Sequence, residues 1–240
     1  MPRPVIRALI IDDELHAREE MAALLEESGV IEVVGNCSNG FDALKMINRL
    51  KPEVLFLDIQ MPVINGFELL NMINREIMPH VVFVTAYDQY SLKAFEEKTL
   101  DYLLKPVDSE RLAKTLVKLQ ETLSTDERPD YIPEEITRIP CLIGNRIKLV
   151  RTEEMEFLQA SPAGVHVSTQ NGEYYTEVTL KVLEERSALL RCHKQYLINI
   201  DAIDEIVLLD GGMARIKTYS GKTVPISRRY LKIIKKKLLI

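Results

Sequence analysis

Five polar side chains in the first half of this 240-residue chain stand where polar side chains are costly. Asp12 and Asp13 follow IRALII (6–11), Asp58 follows VLFL (54–57), Thr85 lies near the end of VVFVTA (81–86), and Lys105 ends DYLLK and precedes Pro106. An unpaired buried carboxylate costs several kcal/mol or takes up a proton. One Asp after a strand is commonly a turn former or a helix cap, but acids, a hydroxyl and a lysine at four strand ends ask for a shared role. Crowded carboxylates repel and raise one another's pKa unless a cation neutralises them. With only oxygen ligands and no nearby His or Cys, that cation is expected to be Mg²⁺. Lys105 adds a compact positive charge able to reach an anion bound on Asp58.

The elements that must position these groups follow from the apolar pattern. Runs at 6–11, 31–36, 54–58, 81–86 and 101–105 alternate with segments whose apolar residues recur at helical spacing, such as Ala17, Met21, Leu24 and Leu25, or Leu112, Leu116, Leu119 and Leu123. Asn39 and Asp108 are expected N-caps. Strands alternating with helices imply right-handed βαβ units and a parallel sheet covered on both faces. Ligands of such open α/β folds bind beyond the carboxyl ends of the strands. That is where these five residues fall.

Composition divides the chain. Residues 1–123 hold 13 basic and 20 acidic side chains, and residues 136–240 hold 17 and 11. Between them STDERPDYIPEE (124–135) has two prolines and an acidic excess, the pattern of a linker. Cys37, Cys141 and Cys192 have no metal-ligand spacing and read as small buried hydrophobes. No apolar run is long enough to span a bilayer, no membrane partner is expected, and a cytoplasmic location is.

The second half changes period. IPCLI, IKLV, VHVST, EYYTEV, QYLINI, EIVLL, ARIKTY and KTVPI are short β-branched or aromatic runs. Asn171-Gly172, Asp210-Gly211-Gly212 and Ser220-Gly221 mark hairpins. The expected exceptions are a helix over about 177–186 and another from about 228. No helix-turn-helix pattern is present, yet RRYLKIIKKK (228–237) holds six basic and no acidic residues, and RCHKQYLINI adds Arg191, His193 and Lys194. A positive face of this kind suits nucleic-acid phosphates.

On the acidic, hydroxyl and lysine motifs, residues 5–123 resemble the receiver domain of two-component response regulators. LLRCHKQYLINIDAIDEI with VPISRRYLKIIK makes 136–240 resemble the LytTR DNA-binding domain. The resemblance implies a doubly wound (βα)5 receiver followed by a mostly-β module, acting as a transcriptional regulator and not as an enzyme. It implies that a sensor histidine kinase phosphorylates Asp58. Asp13, Asp58 and the Gln60 carbonyl would hold Mg²⁺, with Asp12 acting through water. Lys105 and Thr85 would take phosphoryl oxygens, Pro106 would follow a cis peptide, and Met61-Pro62 with Gly66 would form the loop beside the acceptor. Tyr102 would be the switch aromatic, while Tyr87 and Gln60 would tune the lifetime of the phosphoryl group. Phosphorylation would promote a homodimer on direct-repeat half-sites of promoter DNA. Lys194 and Arg229, with Arg228, Arg191 and His193 near them, would form the DNA face, His193 more through a structural bond than a base contact. A third contact loop is expected near SPAG (161–164), which lacks a long polar side chain. Two rivals are an aspartyl-phosphate phosphohydrolase, disfavoured because Gln60 stands where its second acid belongs, and a receiver with a protein- or RNA-binding output.

Overall fold

The computed structural model describes residues 5–87, 99–125, 129, 131, 133–209 and 213–238. It divides into two compact units, Met1–Pro133 and Glu134–Ile240. Among the described residues, no helix is long and apolar enough to cross a membrane.

The first unit is a five-stranded sheet in the order β2-β1-β3-β4-β5, with every pairing parallel. Its elements are β1 (Ile6–Ile11), α1 (Leu15–Glu27), β2 (Ile31–Cys37), α2 (Gly40–Leu50), β3 (Val54–Leu57), α3 (Gly66–Asn71), a 3-10 turn (Arg75–Ile77), β4 (His80–Thr85), β5 (Asp101–Leu104) and α4 (Ser109–Ser124). Strands β3 and β4 are buried at every position, which is why their sequences are continuous apolar runs instead of alternating ones. Met21 and Leu25 of α1 and Leu112, Leu116 and Leu119 of α4 cover one side with Ile10, Phe56 and Val82. The expected caps are present: Asn39 accepts from the Asp42 N–H at 2.9 Å and Asp108 from the Arg111 N–H at 2.8 Å. Asn65 and Glu68 add a reciprocal capping box at α3. The segment between the runs at 81–86 and 101–105, where the alternation calls for a helix, lies mostly outside the described residues.

The second unit is antiparallel. Seven strands run in the order β11-β12-β8-β9-β10-β6-β7, and β13-β14-β15 form a second sheet. The elements are β6 (Arg138–Ile143), β7 (Arg146–Arg151), β8 (Met155–Ser161), β9 (Gly164–Thr169), β10 (Gly172–Thr176), α5 (Leu180–Arg186), β11 (Leu190–His193), β12 (Tyr196–Ile198), β13 (Ile203–Leu208), β14 (Ala214–Thr218), β15 (Thr223–Ile226) and α6 (Arg228–Leu238). Hairpins at Asn171-Gly172 and Ser220-Gly221 are as expected, whereas Asp210-Gly211-Gly212 lies outside the described residues. Two strands, β8 and β11, are additional to the sequence reading. Helix α5 starts at Leu180 and not 177, because Thr179 caps it by accepting from the Val182 N–H. A core of Cys192, Ile198, Ile216, Val224 and Ile234 joins β11, β12, the small sheet and α6.

Candidate functional site

Strand register carries the acidic residues to one rim. Ile11 pairs with Leu57 and Leu57 with Phe83, so β1, β3 and β4 end nearly level, and the Asp58 N–H donates to the Ile11 carbonyl at 2.8 Å. The Lys105 N–H donates to the Thr85 carbonyl at 2.9 Å, which places β5's end beside β4's. The Lys105–Pro106 peptide is cis.

Ligand oxygens of Asp12, Asp13 and Asp58 lie within 4.8 Å of one another. Asp12 and Asp58 are buried and Asp13 is exposed. Lys105 Nζ stands 2.6 Å from Asp12 Oδ2 and 3.1 Å from Asp58 Oδ2. Burial raises the pKa of Asp12 and the charge of Asp58 pushes the same way, while bonds from Lys105 and the Glu14 N–H oppose the rise. Burial pulls the Lys105 ammonium down, but the bonds and charges of Asp12 and Asp58 outweigh it and leave its pKa raised.

Three carboxylates facing one lysine leave an excess of negative charge in a partly dry site. A divalent cation balances it, and an all-oxygen donor set suits Mg²⁺. The Thr85 side chain is fully buried and its Oγ1 has no hydrogen-bond partner among the described residues. A buried hydroxyl without a partner is uncommon, and a group bound at this rim would satisfy it. The residues therefore fit a divalent ion together with an oxyanion.

Other contacts shape the pocket. The Gln60 N–H donates to Asp58 Oδ1 at 3.3 Å. A Cβ on Gly66 would stand 2.7 Å from the Asp58 carbonyl oxygen, so only glycine lets the loop close this tightly over the Asp58 backbone. Val63 in that loop has φ 75°, a left-handed conformation that is costly for a β-branched residue. The Tyr102 hydroxyl donates to the Tyr87 carbonyl. Arg18, which the sequence reading did not single out, donates from Nη1 to the Asp12 carbonyl at 2.7 Å. Its position on the first turn of α1, facing back to β1, was its only sequence signal.

In the second unit three segments meet at one end. Tyr196 pairs with Gln159, which sets the Lys194–Gln195 turn beside the end of β8, and the Ala160 N–H donates to the Gln195 carbonyl at 2.8 Å. The 161–164 turn continues from there. The Ser227 N–H donates to the Cys192 carbonyl at 3.0 Å, bringing the start of α6, with exposed Arg228 and Arg229, to the same end. Lys194 is exposed. His193 Nδ1 accepts from the Gln195 N–H at 3.3 Å and its ring meets Tyr196 edge-on at 5.7 Å. Arg229 lies over the Tyr230 ring at 5.6 Å. Arg191 differs: its guanidinium is bound to Glu184.

A family model described as the response regulator receiver domain matches residues 8–117, and one described as the LytTr DNA-binding domain matches residues 145–239. A response regulatory protein of Vibrio cholerae serotype O1 is 54% identical over 237 residues, which is 98% of this chain and 99% of the relative. The transcriptional regulatory protein BtsR of Escherichia coli K12 is 45% identical over 235 residues, 96% of this chain and 98% of the relative. Among solved structures, the receiver (REC) domain of AraT, a response regulator from Geobacillus stearothermophilus, is 35% identical, with a TM-score of 0.46, covering 51% of this chain and 98% of that one. An acidic rim on a parallel sheet, a basic end on an antiparallel one, a matched domain over each and relatives along nearly the whole length lead to one assignment: the chain belongs to the response regulators that join a receiver domain to a LytTr DNA-binding domain.

Proposed function

We propose that the chain is a transcriptional regulator of the cytoplasm, with a receiver over 1–123, a linker over 124–135 and a DNA-binding output over 136–240. A sensor histidine kinase passes a phosphoryl group to Asp58, phosphorylated receivers pair, and paired outputs bind repeated half-sites in promoter DNA. The observation that carries this reading is Lys105 Nζ set between Asp12 and Asp58, on the rim where Thr85 ends β4 with a buried hydroxyl that has no partner among the described residues.

In this reading an Asp58 carboxylate oxygen attacks phosphorus, the bond from phosphorus to the donor imidazole breaks, and its electron pair leaves with that nitrogen. Positioning and charge neutralisation carry such a transfer. Asp13, Asp58 and the Gln60 carbonyl would hold Mg²⁺, with Asp12 acting through water. When bound, the ion supplies positive charge to the phosphoryl oxygens. Lys105 turns from the carboxylates to a phosphoryl oxygen, and the Thr85 hydroxyl donates to another. Tyr102 would be the switch residue, and its hydroxyl bond to the carbonyl of Tyr87, two residues beyond Thr85, supports a link between the two positions. In the output, Lys194, Arg228 and Arg229 contact bases or phosphates, and His193 fixes the turn that presents Lys194.

Pairing two outputs raises their effective concentration at adjacent half-sites, so a modest gain in receiver affinity gives a large gain in occupancy. Beryllofluoride with Mg²⁺ mimics the phosphorylated state. Sedimentation of the full chain is expected to show new dimer, and duplex binding is expected to tighten. No change in either would refute the switch.

A further inference from the structure

We infer that Arg191 and Glu184 are positioning residues for DNA recognition that hold the Lys194–Gln195 turn in its binding shape, Arg191 itself touching no DNA. The inference rests on the DNA-binding reading above.

Arg191 belongs to the basic motif, and by charge alone it would count as a phosphate or guanine contact. Its surroundings oppose that. Nε and Nη2 both donate to Glu184 Oε2, at 2.8 and 2.5 Å, and Nη1 donates to the Lys194 carbonyl at 3.2 Å. The side chain is 13% exposed. A guanidinium recognises phosphate or guanine through a fork of two N–H groups, and here all three nitrogens already have protein partners.

Glu184 is firmly carried. It lies on α5, capped by Thr179 and anchored through buried Leu180, Val182 and Leu183. A continuous path therefore runs from a packed helix through Glu184 and Arg191 to the backbone of the turn. The turn has two further anchors, the Gln195 N–H on His193 Nδ1 and the Gln195 carbonyl on the Ala160 N–H. Between His193 and Tyr196 only Lys194 and Gln195 make the turn, so fixing its backbone fixes the origin of the Lys194 side chain. Ordering a binding loop in advance removes part of the cost of ordering it on the ligand. It also gives Glu184 a role that offsets the repulsion an acid near phosphates brings.

A direct contact and a positioning residue separate in a salt series. Loss of a phosphate contact lowers the slope of log affinity against log salt by about one. Loss of a positioning residue weakens the selected sequence and leaves the slope in place. The probes are duplexes that the full wild-type chain selects from a random pool, and scrambled duplexes of equal length. Glu184→Gln and Arg191→Gln are each expected to weaken the selected duplex about tenfold, the size of one lost charge-assisted bond. The scrambled duplex should be little affected, the slope unchanged and the double variant no worse than either single one. Lys194→Ala is the control whose slope falls. Tighter binding by Glu184→Gln, a lower slope for Arg191→Gln, or additive losses would each overturn the inference. Thermal melting checks the fold of every variant, and Glu184→Gln, an isosteric change at a partly exposed site, carries the comparison if Arg191→Gln unfolds. If the wild-type chain selects no duplex, the DNA-binding reading itself fails, a result distinct from these.

Discussion

Lys105 offsets part of the repulsion between two buried carboxylates, and the negative charge left over suits a cation. An ion that binds the folded chain and not the unfolded one adds about 2.7 kcal/mol of stability at 100 times its Kd. Mg²⁺ is therefore expected to raise the melting temperature of the wild type, and Asp13→Asn to remove most of that rise; an equal rise in both would place the ion elsewhere. Thr85 gives a sharper separation of stability from switching. Because its hydroxyl is buried without a partner among the described residues, Thr85→Ala discards an unpaired polar group and is expected to change stability by no more than about 1 kcal/mol. The same substitution should abolish the tightening of duplex binding by beryllofluoride. The three cysteines offer a plain test of packing. Burial pushes the thiols of Cys37, Cys141 and Cys192 up to about 12, so a thiol reagent at neutral pH should label none of them until denaturant unfolds the chain.

At the scale of elements, Asp101 ties β5 to α4. Arg111 donates to it from Nη1 and Nη2 at 2.8 and 2.5 Å, and Thr115 Oγ1 donates at 2.6 Å. Burial raises the Asp101 carboxyl, but these bonds and the Tyr102 N–H outweigh it and leave its pKa lowered. A carboxyl lowered by folding contributes in full above its unfolded pKa, about 3.9, and loses that contribution as pH falls through the folded value. Asp101→Asn should thus lower the melting temperature at neutral pH and flatten its fall in acid; a variant curve parallel to wild type would refute the tie. The receiver strands and caps were legible in the sequence because each is a local signal, a run buried on both faces or a short polar side chain at a helix start. Strand β8 was not legible. MEFLQAS is rich in residues that favour helices, and Glu156 breaks its apolar pattern. The strand is fixed from afar: buried Glu156 accepts from Ser220 Oγ at 2.6 Å and from the Ser220 N–H at 3.2 Å, a partner 64 residues on. The partner of Arg191 was not legible for the same reason, since Glu184 lies on a separate helix.

Across the whole molecule, charge separates the two proposed activities: one unit carries an acidic rim suited to cations, and a basic end of the other unit gathers Lys194, Arg228 and Arg229. The sequence shows this division because net charge needs no fold to be counted, while the choice of contacting side chains within the basic end depends on geometry. Everything downstream depends on Asp58 accepting phosphorus. The direct measurement is mass spectrometry of the full chain after incubation with acetyl phosphate and Mg²⁺, followed by digestion. The account predicts one phosphoryl group, labile to hydroxylamine, on the peptide holding Asp58, and none on an Asp58→Asn chain. An unmodified Asp58 peptide, under conditions where a known response regulator is labelled, would contradict it.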